Sequence, residues 1–154
     1  MDKPTLIDQL DLEQIETNLF RGISEDLGTP RVFGGQVIGQ ALIAALRTVE
    51  DRHCHSLHGY FLRPGDPTRP IIYEVDRIRD GRSFTTRRVV AIQAGQAIFN
   101  KSCSFLVLEA GLSQLSDVPD VPLPDDIPDD SEAMAARLEQ LPTALREMMM
   151  RQSP

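Results

Sequence analysis

Tryptophan is absent, and only two cysteines and three histidines occur among the 154 residues. Cys54 and Cys103 stand far apart with no paired spacing. That excludes a disulfide scaffold and a cysteine-based metal centre, and it suits a reducing compartment. No metal site is expected. The opening Met1-Asp2-Lys3-Pro4 lacks a basic-then-apolar leader, and no apolar run is long enough to span a bilayer. The expectation is a cytoplasmic protein without membrane insertion. Basic residues are missing from one long stretch: none stands between Lys101 and Arg137, while eight acids do (Glu109, Asp117, Asp120, Asp125, Asp126, Asp129, Asp130 and Glu132). The net charge of -7 argues against nucleic acid and anionic membrane as partners. Removing those eight of the 23 acids leaves fifteen against sixteen basic residues, so the rest is near neutral and open to an anionic small molecule.

What is present is organised around Val32-Phe33-Gly34-Gly35-Gln36-Val37-Ile38-Gly39-Gln40-Ala41. A Gly-Gly turn is expected to run into a helix whose apolar positions from Val37 to Val49 cover more than one face, so the helix should be buried. Its start lacks the Ser, Thr, Asp or Asn that normally satisfies the first free N–H groups. Two glycines admit a backbone or ligand closely, and free N–H groups at the positive helix end attract an oxyanion. The plainer alternative is a tight turn with water on those donors.

Ahead of this helix, Thr5–Leu12 has the spacing of a short amphipathic helix and Glu13–Ile23 reads as one or two short strands, followed by a turn from Ser24 to Pro30. Behind it the period changes to two. Cys54–Arg63 alternates, with His55, Leu57, Gly59 and Phe61 on one face and Cys54, Ser56, His58, Tyr60 and Leu62 on the other. After a Pro64–Pro67 loop come Ile71–Arg79, an Asp80-Gly81 hairpin signal with Asp80 opening a type I′ turn, Phe84–Gln93, a turn at Ala94-Gly95, and Ala97–Leu108. In the last strand Ala97, Phe99, Lys101, Cys103, Phe105 and Val107 share a face. Long strands joined by short turns make an antiparallel meander with one face buried, and the apolar helix is the object for it to wrap, an α+β architecture. Residues 1–112 are assigned to this domain and 113–130 to an acidic, proline-rich linker. Residues 131–154 are assigned to helix broken near Pro142, with an apolar patch at Met148-Met149-Met150.

Three blocks in this order resemble the N-terminal half of type II acyl-CoA thioesterases, the TesB-like family. They are Leu19-Phe20-Arg21-Gly22 with Ser24-Glu25-Asp26-Leu27-Gly28; Val32 to Ala41; and His55-Ser56-Leu57-His58-Gly59-Tyr60-Phe61-Leu62-Arg63-Pro64-Gly65-Asp66. Pro70-Ile71-Ile72-Tyr73, Arg79 to Phe84 and Arg87-Arg88-Val89 add support. The resemblance implies a hotdog fold, an antiparallel sheet around one long helix. It also implies hydrolysis of acyl-CoA to free fatty acid and CoA, with no cofactor beyond the coenzyme A of the substrate. Full-length family members carry two hotdog units. Residues 131–154 then start the connection to an absent second unit, and a homodimer could stand in for it. In the family an Asp, a Ser or Thr, and a Gln orient the attacking water, all in the second unit. By pseudo-repeat Gln36 occupies the place of that Asp, and an amide is no general base. This half is therefore expected to shape the substrate site; the alternative is a catalytically silent acyl-CoA-binding or dimerisation module.

His58 is the candidate catalytic residue, since histidine is implicated at the matching family position. The alternative is a structural histidine holding its strand to the helix start. Gly34, Gly35 and Gln36 are candidates to polarise a thioester carbonyl, against a role in packing. Tyr60, Arg63 and Arg88 are further substrate-binding candidates. Arg63, Arg79, Arg82, Arg87 and Arg88 carry the charge to meet CoA phosphates, or are solvated strand arginines. No G-x-S-x-G elbow is present, which argues against an acyl-enzyme route.

Overall fold

The computed structural model describes residues 5–24, 28–127, 130–143 and 145–146. The patch at Met148–Met150 and part of the expected turn, residues 25–27, lie outside the described residues. The chain divides into two compact units, Met1–Glu109 and Ala110–Pro154.

In the first unit, helix α1 (Leu6–Leu10) opens on a reciprocal capping box. The Asp8 N–H donates to the Thr5 hydroxyl, and the Thr5 N–H donates to the Asp8 carboxylate at 2.8 Å. Strands β1 (Glu13–Glu16) and β2 (Leu19–Gly22) precede the central helix α2 (Gly34–Leu46). Strands β3 (His53–Phe61), β4 (Ile71–Asp80), β5 (Phe84–Gln93) and β6 (Gln96–Leu106) follow it. All pairings are antiparallel, in the order β1-β2-β4-β5-β6-β3. The meander β4-β5-β6 stands as its periodicity predicts, and β3 closes one edge beside β6.

One side of α2 is small (Ala41, Ala44 and Ala45), so its backbone lies close to the inner face of the sheet, against Phe20, Ile71, Tyr73, Val75, Val89, Ala91, Phe99 and Phe105. Gln40 is buried there with its amide satisfied at both ends. Its Nε2 donates to the carbonyls of Gln9 and Ile23 at 2.7 and 2.9 Å, and its Oε1 accepts the Tyr73 hydroxyl at 2.7 Å. Burial pushes the Tyr73 phenol well above its ordinary value.

Three expectations are corrected. First, α2 begins at Gly34, not Val37, with Phe33 as its cap and no side-chain cap bond. The glycines form the first turn because they are packed against rings. A Cβ on Gly34 would lie 2.9 Å from Phe61 Cζ, and one on Gly35 2.5 Å from Phe33 Cε1. The helix is also not wholly buried: Ile38, Leu42, Ile43 and Leu46 are only half covered within the unit. Second, the turn with both central residues at positive φ falls at Ala94-Gly95 (47° and 74°), not at Asp80-Gly81. Gln93 pairs with Gln96 across that two-residue turn, whereas Asp80 pairs with Thr85 across a longer loop. Third, a bulge between Cys54 and Ser56 breaks the alternation of β3. Cys54 joins Leu57, Gly59 and Phe61 on the inner face, opposite inward-facing Phe105, Cys103, Lys101 and Phe99, while Ser56, His58 and Tyr60 face outward.

In the second unit, residues 110–123 form neither helix nor strand, and a 3-10 turn at Pro124–Asp126 and helix α3 (Ser131–Glu139) follow. The helix stops before Pro142, and Arg146 donates to the terminal carbonyls of Leu138 and Glu139 at 3.0 and 2.6 Å.

Candidate functional site

An open cleft of about 460 Å³ lies at the start of α2, where the end of β3 passes under the first helical turn. Its wall is apolar: Val32, Val37, Phe61, Leu62, Ile98 and Phe99. The chain leaving β3 is tied down by backbone bonds. The N–H groups of Leu62 and Arg63 donate to Ile98 O, and Val32 N–H donates to Gly65 O at 2.9 Å. Two guanidinium groups, Arg31 and Arg63, line the cleft, and among the described residues no carboxylate does. Arg63 donates through Nη1 to Ala97 O at 2.7 Å. The Arg31 side chain has no hydrogen bond or ion pair among the described residues. Arg63 also borders a neighbouring cleft of about 300 Å³ that contains Asp66, Arg69 and Gln93.

Of the residues singled out from sequence, Gly34 and Arg63 line this cleft, and Gly35 and Gln36 stand beside it in the first turn of α2. Gln36 is nearly buried, and its Nε2 donates to the Ile23 carbonyl at 3.1 Å, the same oxygen that Gln40 holds one turn later. The pair clamps the end of β2 to the helix, so that donor is engaged before any thioester arrives.

His58, Tyr60 and Arg88 are elsewhere. The register aligns His58 with Ser102, Ser102 with Arg88, and Arg88 with Asp76, a row across four strands on the outer face of the sheet. The His58 ring meets Tyr60 edge-on at 4.8 Å, and Arg88 pairs with Asp76 at 3.0 Å. The sheet separates this row from α2. His58 therefore does not hold its strand to the helix start, and a catalytic part for it requires substrate on the outer face. Arg87, offered as a phosphate contact, is 1% exposed with its donors spent within the fold. Nε donates to the Thr48 hydroxyl, Nη2 to Thr48 O and the Asp80 carboxylate, and Nη1 to Arg79 O and Thr86 O. Arg87 holds the Asp80 carboxyl below its usual value.

Sequence reasoning passed over Arg31, although it is a cation placed just ahead of an uncapped helix. It also passed over Lys101, which the alternation of β6 already set among Phe99, Cys103 and Phe105. Lys101 is 1% exposed, and its ammonium has no hydrogen-bond partner among the described residues. Burial lowers its pKa, opposed in part by the thiols of Cys103 and Cys54. Among the described residues no cluster could hold a metal ion.

Residues 23–106 match the family described as the acyl-CoA thioesterase N-terminal domain. The chain belongs to that family. The matched stretch contains the cleft, α2 and all of β3 to β6. Acyl-CoA thioesterase 2 of Haemophilus influenzae is 43% identical over 150 residues, which is 97% of this chain and 52% of that protein. The crystal structure of an acyl-CoA thioesterase II, TesB2, from Mycobacterium marinum superposes with a TM-score of 0.72 at 45% identity. It covers 84% of this chain and 49% of that one. A protein of unknown function with a hot dog fold from Alicyclobacillus acidocaldarius gives a TM-score of 0.70 at 22% identity, over 82% of this chain and 49% of that one. The fold of this family member is thus a hotdog, and the chain spans about half the length of these relatives.

Proposed function

We infer that the chain is the N-terminal hotdog unit of an acyl-CoA thioesterase that hydrolyses acyl-CoA to free fatty acid and CoA, in cytoplasmic fatty acid metabolism. The match over residues 23–106 carries this reading. The relatives named for the activity are about twice as long, and no described side chain lining the cleft is a general base, so the unit is assigned the non-catalytic half of the active site. A second hotdog unit supplies the groups that activate water. Residues 113–130 serve as the linker and the helical segment from 131 onward as the connection to it. Gly34 and Arg63 are this unit's substrate contacts, with Gly35 and Gln36 shaping the helix start beside them. No resident cofactor is needed, because coenzyme A arrives with the substrate.

Assays with one medium-chain and one long-chain acyl-CoA test the assignment. The full-length parent is expected to turn over at least one, and the 154-residue chain neither. Hydrolysis by the chain alone, abolished in His58→Ala or Gln36→Ala, would overturn the division of labour; an inactive parent would overturn the activity itself.

Two features favour a self-association reading of the isolated chain. β3 is an edge strand carrying exposed Leu57 and Phe61, and α2 leaves Ile38, Leu42, Ile43 and Leu46 half open. Unpaired edges and contiguous apolar surface are places where a second copy docks. Sedimentation at micromolar concentration is expected to give a homodimer, and Leu57→Lys, which puts charge on that edge, is expected to shift it toward monomer. A wild-type monomer at that concentration would count against dimerisation.

A further inference from the structure

The cleft at the start of α2 combines features that bear on one ligand chemistry. In a chain of net charge -7, it holds two guanidinium groups and, among the described residues, no acid. Arg21, Arg47, Arg69, Arg87 and Arg88 are each paired with a carboxylate; of the arginines with no carboxylate partner among the described residues (Arg31, Arg52, Arg63, Arg77, Arg79 and Arg82 in this unit), Arg31 and Arg63 line this one cleft. Cations left uncompensated on a surface rich in carboxylates mark where the molecule offers charge to something else. Guanidinium suits phosphate oxygens because its planar N–H groups bond them in pairs. The wall behind the two arginines is apolar, formed by Val32, Phe61, Leu62 and Ile98. The ligand class that fits both is an amphipathic phosphate ester.

Resting on the acyl-CoA reading above, we propose that Arg31 and Arg63 form the subsite for the phosphate-bearing end of coenzyme A. The pantetheine arm runs along the apolar wall between Phe61 and Ile98. Arg63 borders both this cleft and its neighbour, so phosphate held there is reachable from either side. The chain leaving β3 is held at its base by the Leu62 and Arg63 N–H bonds to Ile98 O and by Val32 N–H to Gly65 O. That base presents the two arginines without requiring the fold to rearrange. Neither residue touches the reacting atoms: they are positioning residues, and their effect belongs in KM and Kd.

Calorimetric titration of the 154-residue chain with coenzyme A, and separately with pantetheine, tests the subsite. Arg31→Ala is the clean variant, because its side chain has no partner among the described residues to lose; Arg63→Ala also gives up the bond to Ala97 O. Each single variant is expected to weaken CoA binding at least tenfold, and the double variant further, with thermal unfolding unchanged for Arg31→Ala. Pantetheine, which has no phosphate, should bind the wild type and Arg31→Ala alike. In the full-length parent, Arg31→Ala should raise KM for acyl-CoA with little change in kcat and leave acyl-pantetheine hydrolysis untouched. CoA binding that is indifferent to both substitutions, or no CoA binding by the wild-type chain, overturns the subsite even if the parent is an active thioesterase. Arginine-dependent CoA binding beside a parent that hydrolyses no thioester would uphold the subsite and overturn only the activity.

Discussion

Replacing Arg87 with alanine is expected to destabilise the hotdog unit by about 3 kcal/mol, the scale of breaking a buried, hydrogen-bonded charge network. Arg87 is the largest fully buried side chain of the unit, and it joins three elements. It reaches Thr48 just after α2, Arg79 and Asp80 at the end of β4, and Thr86 on its own strand. Alanine would leave the Thr48 hydroxyl and several carbonyls without a donor and open a hole beside Cys103. Lysine keeps the charge but not the planar fork, so Arg87→Lys should recover less than half of the loss. Thermal and urea unfolding read both variants, and a drop of roughly 10 °C in Tm is expected for alanine at this size. A shift within about 2 °C would show that the network carries no net stability.

Part of that network is pH-sensitive. The Asp80 carboxyl is held below its usual value by the Arg87 hydrogen bond. A depressed acid contributes stability above its unfolded pKa and loses it as pH falls through the folded one, so the loss begins below about pH 4. Because Asp80 is 59% exposed, solvent screens the interaction and the acid-induced change should be small.

Lys101→Met is expected to act in the other direction and stabilise the unit by about 2 kcal/mol, because it removes a buried ammonium that has no acceptor. Methionine fills similar volume and suits an irregular site between Gly59 and Val89 in the register. The pH dependence separates this cause from better packing. The folded-state pKa of Lys101 lies below the ordinary 10.5. Between the two values the unfolded chain binds more protons, so wild-type stability rises with pH across that window. The advantage of Lys101→Met should therefore be full below the folded pKa and shrink toward pH 10.5. Cys103, whose thiol is pushed up by burial and pulled partly back by Lys101, contributes with the opposite sign, so the two proteins are compared in a Cys103→Ala background. An advantage that is constant to pH 10.5 would mean that packing, not charge, is responsible.

Much of the fold was legible because hydrophobic period is a local property. The alternation in Ile71–Arg79, Phe84–Gln93 and Ala97–Leu108 predicts three long strands, and they pair as β4-β5-β6. Periodicity fails where one inserted residue changes its phase. The β3 bulge moves Cys54 to the inner face and leaves His55 bonded to Ser104 through Nε2 at 2.9 Å. Turn chemistry misled at Asp80 for a related reason. An Asp-Gly pair favours a type I′ turn in isolation, but the Asp80 carboxylate is taken by Arg87 from the neighbouring strand. The positive φ values fall instead on Ala94-Gly95.

The site divides along the same line. Residue types and their spacing marked Gly34, Gly35 and Gln36, since an uncapped helix start is visible in the chain itself, whereas Arg63 stood only as one of five candidate phosphate-binding arginines. That Gly34 is closed over by Phe61, and that Gln36 is spent on Ile23 O, follows from contacts between segments distant in sequence. Likewise, only the sheet's two-sidedness decides that His58, Tyr60 and Arg88 face away from the helix while Arg31 joins Arg63 in a cleft. Order along the chain determines which side chains alternate. Which face meets α2 is set by where the helix packs, because burial of its alanine face selects one side of the sheet.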